Sequence, residues 1–389
     1  YDFVNNDTDP TQSDNGGGHG TSVAGIIAAK GWNDIGVRGV APNASLKGYN
    51  YLRAPSDVNF ASSLGGQDYS SDVDVFNLSV GHRQRFWSVA SQAQQAVISG
   101  LRNLRSNKGA VVIKSAGNAF NGRSDDQDYN SYRLTCGGIT RLSCQDAVQD
   151  PWHVFPEIIV VGALAGDGRK ASYSSATATM WVTGFGGEFG FDLGYFITTN
   201  FVLLEPAIMT TDRSSCSHGY VSDGVQQSRY NRFNDSLVRH AENPDCNYVS
   251  TFNGTSSAAP TVSGVVALML EENPALTWRD VKHILAETAR QVDSSFIPVT
   301  VNGIQYHGWV ENSAEFSFHN YYGFGVVDAA AAVASAETFA AGTFGEQATS
   351  EVQTAANHTL IEGQEWATTI NNPTTGVAEY VRVILNLDA

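Results

Sequence analysis

Short apolar runs bounded by glycine, proline or polar residues recur along most of the chain, and this pattern is typical of buried strands. The predicted strands cover residues 45–51, 74–80, 109–115, 156–164, 180–183 and 207–209. Between these runs, apolar residues recur at helical spacing. The predicted helices cover residues 19–31, 89–104, 256–270, 277–289 and 326–339. Strands that alternate with helices predict an α/β fold with a doubly wound, mostly parallel sheet flanked by helices.

The composition changes near the carboxyl end of the chain. Residues 341–353 are rich in Gly, Thr, Glu and Ala, which is typical of a linker. Residues 378–387 then predict one more strand. We therefore expect one domain over 1–340, a linker over 341–353, and the truncated start of a β-rich domain over 354–389.

The chain is acidic, with a formal net charge of −16 and a sequence pI near 4.8. Nucleic acids and anionic membranes attract basic surfaces, so this charge argues against both as partners. No apolar run approaches the roughly 18 residues of a membrane-spanning helix, so no membrane span is expected.

One stretch combines turn-forming residues with a possible nucleophile: Asn253-Gly254-Thr255-Ser256-Ser257-Ala258-Ala259-Pro260. The apolar run after it predicts that Ser256 lies in the first turn of a buried helix. Free backbone N–H groups and the helix dipole favour negative charge there, which suits a serine whose attack creates an oxyanion. Serine is also a common helix N-cap, so this stretch alone leaves both roles open.

Two further stretches carry residues with matching chemistry. In the first, a histidine opens a helix: His19-Gly20-Thr21-Ser22-Val23-Ala24-Gly25. In the second, an asparagine follows a strand: Ser115-Ala116-Gly117-Asn118. Together with the serine stretch, and in this order, they resemble the three signatures of the subtilisin-like serine peptidases (subtilases). The resemblance covers roughly residues 1–340, and it implies hydrolysis of peptide bonds on an α/β fold.

The resemblance implies a role for each motif residue. Ser256 is the expected nucleophile, His19 the base and then the acid, and Asn118 the side-chain donor to the oxyanion. The family's third catalytic residue is an aspartate that ends a hydrophobic strand before the histidine. Residues 1–18 contain no such strand, so we expect that aspartate upstream of Tyr1. The chain as written, truncated at its N-terminus, is then expected to be impaired, because the imidazole lacks the group that fixes its tautomer.

The resemblance also implies where a polypeptide substrate binds. The peptide is expected to add as a strand along one edge and to place a side chain in a primary pocket. The expected edge is Ser79-Val80-Gly81, and the expected pocket wall is Ser115-Ala116-Gly117.

Two features resemble the kexin and furin branch of the family. Residues 276–281 are similar to a helix of those peptidases, and residues 354–389 are similar to the opening of their β-sandwich P domain. Kexin and furin cut after paired basic residues, but their selecting acids are replaced here at 80–85 and at Ser175. Compensation by Asp125, Asp126, Asp128 or Asp150 is possible, so both dibasic and broader specificity stay open.

Calcium is the expected cofactor, in a structural role. Carboxylates surround hard cations readily, and Asp2, Asp7 and Asp9 lie close together in the chain. A solvated acidic loop explains the same spacing, but the three residues match a calcium loop of furin-like peptidases. A second loop resembles a subtilase calcium site, with the Asn33 side chain and the backbone carbonyls of Lys30, Ile35 and Val37 as ligands.

The four cysteines lie in two polar insertions, which predicts two disulfides and an oxidising compartment. Of the three possible connectivities we favour Cys136–Cys144 and Cys216–Cys246, because each pair closes one insertion; four free thiols are the alternative. We expect a secreted or periplasmic monomer. Two rival functions stay open: a catalytically inactive binding protein on a subtilase fold, and an esterase, although no Gly-x-Ser-x-Gly motif surrounds Ser256.

Overall fold

A computed structural model describes residues 1–11, 17–81, 89–120, 142–191, 206–222, 231–301 and 304–344. The predicted domain over 354–389 and most of the predicted linker lie outside these residues, as do Cys136, Asp125, Asp126 and Asp128. Among the described residues, no helix combines the length and the apolar character that crossing a bilayer would require.

The centre of the molecule is a parallel four-stranded sheet, which confirms the predicted fold class. Its strands follow one another in chain order: β1 (Val75–Leu78), β2 (Val111–Ser115), β3 (Ile158–Leu164) and β4 (Met180–Phe185). Because the strands are parallel, their carboxyl ends meet at one edge of the sheet. Catalytic groups in such sheets collect at this edge.

Helices cover both faces of the sheet. They are α1 (His19–Ala28), α2 (Asp57–Ser63), α3 (Gln92–Gly100), α4 (Thr255–Glu272), α5 (Trp278–Thr288) and α6 (Ala329–Thr338). A 3₁₀ turn (Leu101–Asn103) and an irregular turn (Leu104–Asn107) continue α3. Two further 3₁₀ turns lie at Ala147–Gln149 and Arg232–Asn234.

Successive residues of a strand point to opposite faces, so both faces of a buried parallel sheet need apolar residues. On one face, Ile113 and Val161 pack against Val262 and Val265 of α4. On the other face, Val112 and Val160 belong to a separate cluster with Ile98 of α3. Continuous apolar runs therefore identified β2 and β3 correctly from the sequence.

A second, antiparallel pair of strands lies against α1. It consists of β5 (Ile208–Thr211) and β6 (Tyr248–Phe252). The disulfide Cys216–Cys246, which was predicted, lies in the loop between them. Both cysteines pack with Val23 and Ile26 of α1. The unit formed by β5 and β6 thus supports the helix that carries His19.

Several sequence predictions need correction. Residues 45–51 form no strand, because within the described ranges their backbone pairs only with the terminal residue Tyr1: its ammonium donates to the Gly48 carbonyl at 2.5 Å, and its carbonyl accepts the Asn50 N–H at 2.9 Å. Helix α3 begins at Gln92 rather than at Val89, since Ser91 and Gln94 form a capping box. Helix α2, strand β6 and the short strands near residues 299–318 were missed. These short strands are β7 (Val299–Val301), β8 (Ile304–Tyr306), β9 (Val310–Glu311) and β10 (Ser317–Phe318).

Candidate active site

Ser256 lies at the start of α4, in the position that the sequence predicted. The chain leaves β6, turns at Gly254 with φ of 103°, and enters the helix at Thr255. A positive φ of this kind strains any residue with a side chain, which explains the glycine. The Gly254 N–H donates to the Tyr173 hydroxyl at 2.8 Å, so the turn is anchored to the protein interior.

Ser256 and Ser79 exchange two hydrogen bonds, although they are 177 residues apart in the chain. The Ser79 hydroxyl donates to the Ser256 backbone carbonyl at 2.9 Å. The Ser256 hydroxyl donates to the Ser79 backbone carbonyl at 3.3 Å. The expected nucleophile is therefore in direct contact with the expected substrate edge.

Asn118 lies beside the same helix terminus. Its side-chain oxygen accepts hydrogen bonds from the backbone N–H and the hydroxyl of Thr255, both at 2.9 Å. These two donors fix the oxygen toward the helix and leave the Nδ2 donors on the opposite side of the carboxamide. Asn118 is exposed as a residue, and its Nδ2 lies close to Gly254, 3.1 Å from the point that a Cβ on residue 254 would occupy.

A cleft of about 170 Å³ joins these groups. All six residues predicted for the substrate edge and the pocket wall line it, together with Asn118 and Ser256: Ser79, Val80, Gly81, Ser115, Ala116 and Gly117. Two of the three signature motifs, those of Asn118 and Ser256, thus meet at the carboxyl edge of the sheet with the predicted substrate edge and pocket wall. Their roles in binding and catalysis stay predictions.

His19 is not among the residues that line the cleft. It is the first residue of α1, it is half-buried, and its ring lies 5.6 Å from the ring of Phe252, between centroids. Burial lowers the pKa of His19 below its usual value, so the imidazole is neutral near pH 7. His19 makes no hydrogen bond to Ser256, whose hydroxyl donates to Ser79 instead. Such contacts are often loose before substrate binds.

The floor of the cleft contains a buried ion pair that sequence reasoning missed. The Lys114 ammonium is fully buried, lies 2.8 Å from the Asp150 carboxylate and donates to the Val80 carbonyl at 2.6 Å. His153 packs beside the pair, with its Nε2 3.9 Å from Asp150. A lysine within an otherwise apolar strand was the available signal, since a buried charge requires a partner.

Two more residues line the cleft without having been predicted to bind substrate. The Asp146 carboxylate accepts the Val148 N–H at 2.9 Å, and burial raises its pKa. The Ser175 hydroxyl accepts the Ala119 N–H at 3.0 Å and so supports the turn that carries Asn118.

The three N-terminal aspartates, which are the first predicted set of calcium ligands, already accept hydrogen bonds within the protein. The Asp2 carboxylate is buried and already accepts hydrogen bonds from the Val4 N–H, the Asn5 amide and the Asn50 amide. Asp7 and Asp9 each accept a backbone N–H two residues ahead. Within the described ranges, no group of three or more His, Cys, Asp or Glu side chains is placed to hold a metal ion.

The second calcium candidate is an exposed loop that curls through left-handed residues at Trp32, Asp34 and Gly36. The Asn33 side-chain oxygen accepts the Ile35 N–H at 3.3 Å. The remaining expected ligands are the backbone carbonyls of Lys30, Ile35 and Val37. Their oxygen donors are of the type that calcium prefers.

Comparisons with known proteins agree with this arrangement. A sequence profile described as the subtilase family matches residues 1–325. An extracellular serine protease of Aeromonas sobria is 34% identical over 350 residues, which cover 84% of this chain and 51% of that protein. The human proprotein convertase subtilisin/kexin type 6 is 28% identical over 352 residues, which cover 88% of this chain and 28% of that protein. The chain thus spans about half the length of the bacterial relative.

A solved structure shows the same architecture. The crystal structure of the serine protease of Aeromonas sobria superimposes with a TM-score of 0.72 at 31% identity, over 87% of this chain and 56% of that chain. A structure of the same protease in complex with a chaperone gives a TM-score of 0.71 at 30% identity.

Proposed function

The chain belongs to the subtilase family, and from that premise we propose that it is a serine endopeptidase that hydrolyses peptide bonds through an acyl-enzyme on Ser256. The observation that carries the proposal is the meeting of three features in one cleft. These features are a serine at a helix N-terminus, an exposed asparagine and the predicted substrate edge.

The proposed reaction has two stages. The Ser256 oxygen attacks the carbonyl carbon of the substrate while its proton passes to the neutral imidazole of His19. The carbonyl oxygen becomes negatively charged, and the Asn118 Nδ2 and the Ser256 backbone N–H donate to it. The carbon–nitrogen bond then breaks, and the departing amine takes the proton from His19. Water then attacks the carbonyl carbon of the acyl-enzyme and gives a proton to His19. The bond from that carbon to the Ser256 oxygen breaks, His19 returns the proton to this oxygen, and the acid product is released.

The orienting carboxylate of the triad belongs to this proposal as well. His19 contacts no carboxylate in the part of the chain that the structure describes. The proposed mechanism requires an aspartate that orients the His19 imidazole and fixes its tautomer. The loss of such an aspartate costs roughly 10⁴ in rate in serine peptidases with this triad.

Calcium is proposed at the loop of residues 30–37, with the Asn33 side chain and three backbone carbonyls as ligands. The role would be structural, since a bound cation offsets the repulsion of exposed carbonyl dipoles and fixes the loop. The donor set of Asp2, Asp7 and Asp9 fits calcium less well, because the Asp2 carboxylate is already occupied by N–H donors.

The remaining features of the proposal follow from the chain's chemistry. The disulfide and the similarity to an extracellular serine protease of Aeromonas sobria support a secreted or periplasmic location, and we propose a monomer that acts on polypeptides. Asp150 is the only one of the four possible compensating acids within the described residues, and Lys114 already pairs with it. This pairing favours a broader specificity than strict cleavage after paired basic residues.

Labelling with a fluorophosphonate tests the nucleophile directly. We expect covalent labelling that mass spectrometry maps to Ser256, with loss of labelling and of peptide hydrolysis in Ser256→Ala. Ser257→Ala is the matched control, because Ser257 is the neighbouring serine and its buried hydroxyl bonds only to carbonyls. Labelling at Ser257, or hydrolysis by Ser256→Ala, would refute the assignment.

A second candidate function is a catalytically inactive binding protein. The bond from the Ser256 hydroxyl to the Ser79 carbonyl, rather than to His19, favours it. The same labelling experiment separates the two functions. An inactive protein would bind peptides in the cleft but leave the fluorophosphonate unreacted.

A further inference from the structure

The Ser79 side chain faces the nucleophile's helix rather than the open cleft. Ser79 is only 8% exposed, and its hydroxyl donates to the Ser256 carbonyl at 2.9 Å. The same hydroxyl accepts from the Asn77 side-chain amide at 2.9 Å. Both hydrogen-bonding directions of this hydroxyl are therefore used inside the protein, which leaves no reason for its side chain to contact substrate.

The Ser256 carbonyl is available because of Pro260. In an α-helix, the carbonyl of one residue accepts the N–H of the residue four positions later. The residue four positions after Ser256 is Pro260, which has no N–H and whose ring displaces that carbonyl from the helix axis. Without the hydrogen bond from Ser79, this carbonyl would lack the partner that a helix normally provides. It belongs to the same residue as the reacting hydroxyl.

The Asn77 side chain, which donates to Ser79, is itself held by a hydrogen bond. Asn77 lies in β1, and its side-chain oxygen accepts from the Ser263 hydroxyl of α4 at 2.9 Å. Ser263 lies about two helical turns beyond Ser256 on the same helix. Hydrogen bonds from Ser79 to Ser256 and from Ser263 to Asn77 thus connect the end of β1 to α4 at two positions along the helix.

We propose that Ser79 is a positioning residue, whose hydroxyl replaces the helix hydrogen bond that Pro260 removes and thereby fixes the backbone of Ser256. The proposal deepens the proposed function and rests on it. A serine whose backbone is held at this point keeps its hydroxyl at a constant distance from the substrate carbonyl, and misplacement of about 1 Å can cost up to about 100-fold in rate.

The test measures the effect of Ser79→Ala in two backgrounds. In the unaltered protein, we expect Ser79→Ala to lower kcat and the fluorophosphonate labelling rate by about ten- to a hundredfold, with little change in KM. In a Pro260→Ala background, the new N–H of residue 260 can donate to the Ser256 carbonyl. In this background, Ser79→Ala is expected to lower kcat by less than about threefold. The N–H of residue 260 and the Ser79 hydroxyl then donate to the same carbonyl, so the effects of removing them are not additive.

Ser70→Ala is the matched control. The Ser70 hydroxyl is fully buried and also donates to a carbonyl, that of Ser62 at 2.7 Å, and accepts an N–H, that of Gly65 at 3.0 Å. It lies outside the cleft lining. We expect Ser70→Ala to lower Tm while kcat and the labelling rate stay unchanged.

Each outcome decides the question. An equal cost of Ser79→Ala in both backgrounds, or a loss of Tm without a loss of kcat, would overturn the positioning role while leaving the peptidase intact. If Ser79→Ala alone does not fold, the double variant is compared with Pro260→Ala. Equal kcat supports the proposal, and a large loss refutes it. Absence of labelling in the unaltered protein would instead refute the proposed function.

Discussion

The ring of His19 rests on the ring of Phe252, with 5.6 Å between their centroids, and Phe252 is the last residue of the strand that leads to Ser256. The imidazole is therefore positioned by an apolar contact in the described part of the chain. Burial alone accounts for the lowered pKa of His19.

Removal of this contact should change the pH dependence of hydrolysis. In Phe252→Ala, water reaches the imidazole, so the pKa of His19 should rise toward its usual value of about 6.5. Because the base must be neutral, the acidic limb of the kcat/KM profile should move to higher pH, and the rate should fall about tenfold or more through lost positioning. Phe252→Leu retains burial and should leave the limb in place. An unshifted limb in Phe252→Ala would show that another group controls it.

Asn118→Asp should distinguish the role of the side-chain oxygen from that of the Nδ2 donor. An aspartate retains the oxygen that accepts from Thr255, but it replaces the Nδ2 donor with a second oxygen. We expect kcat to fall by about 10²–10³, the magnitude found for the corresponding asparagine of subtilisin, with KM nearly unchanged. Steady-state kinetics on a peptide substrate measures both constants. A rise in KM with constant kcat would assign Asn118 to ground-state binding instead.

Removal of one partner of the Lys114–Asp150 ion pair should lower the unfolding free energy more than removal of both. Lys114→Met leaves the buried Asp150 carboxylate without its cation, which typically costs about 3–5 kcal/mol of unfolding free energy. The double variant Lys114→Met/Asp150→Leu removes both charges and should cost less than Lys114→Met alone. Urea unfolding of both variants gives these free energies. A double variant less stable than Lys114→Met would show that the other hydrogen bonds of Asp150, such as that from the Trp152 N–H, outweigh the cost of its unpaired charge.

His153 should make the fold sensitive to acid. Burial first, and the Lys114 charge second, lower the pKa of His153 to about 4, while its Nδ1 lies 2.6 Å from the Ala147 carbonyl. In the unfolded chain its pKa is near 6.5, so this stability is fully present above pH ~6.5 and declines as pH falls toward about 4. We expect the unfolding free energy of the unaltered protein to drop by on the order of 2 kcal/mol more than that of His153→Gln between about pH 7 and pH 4.5. Equal drops in the two proteins would mean that His153 does not titrate in this range.

Helices and strands could be predicted from the sequence where their own residues show a clear pattern of apolar or capping positions. The apolar runs of β2 and β3 and the Thr277 cap of α5 were predictable, because burial and capping depend on nearby residues. Strand β6 was missed since its alternation is short and its partner β5 lies beyond a long polar insertion.

Contacts across the chain were harder to predict than the elements. The partner of Lys114 lies in an irregular segment before β3, and no local pattern links the two residues. The bonds between Ser79 and Ser256 depend on the way in which β1 and α4 meet. Such pairings are fixed by tertiary packing, so motifs can name the residues without giving their contacts.

Strand β6 is linked to both proposed catalytic residues, since its last residue packs against His19 and the chain continues from it to Ser256. If this strand shifts, the proposed base His19 and the proposed nucleophile Ser256 should move in the same direction. The distance between them should then change less than the position of either residue.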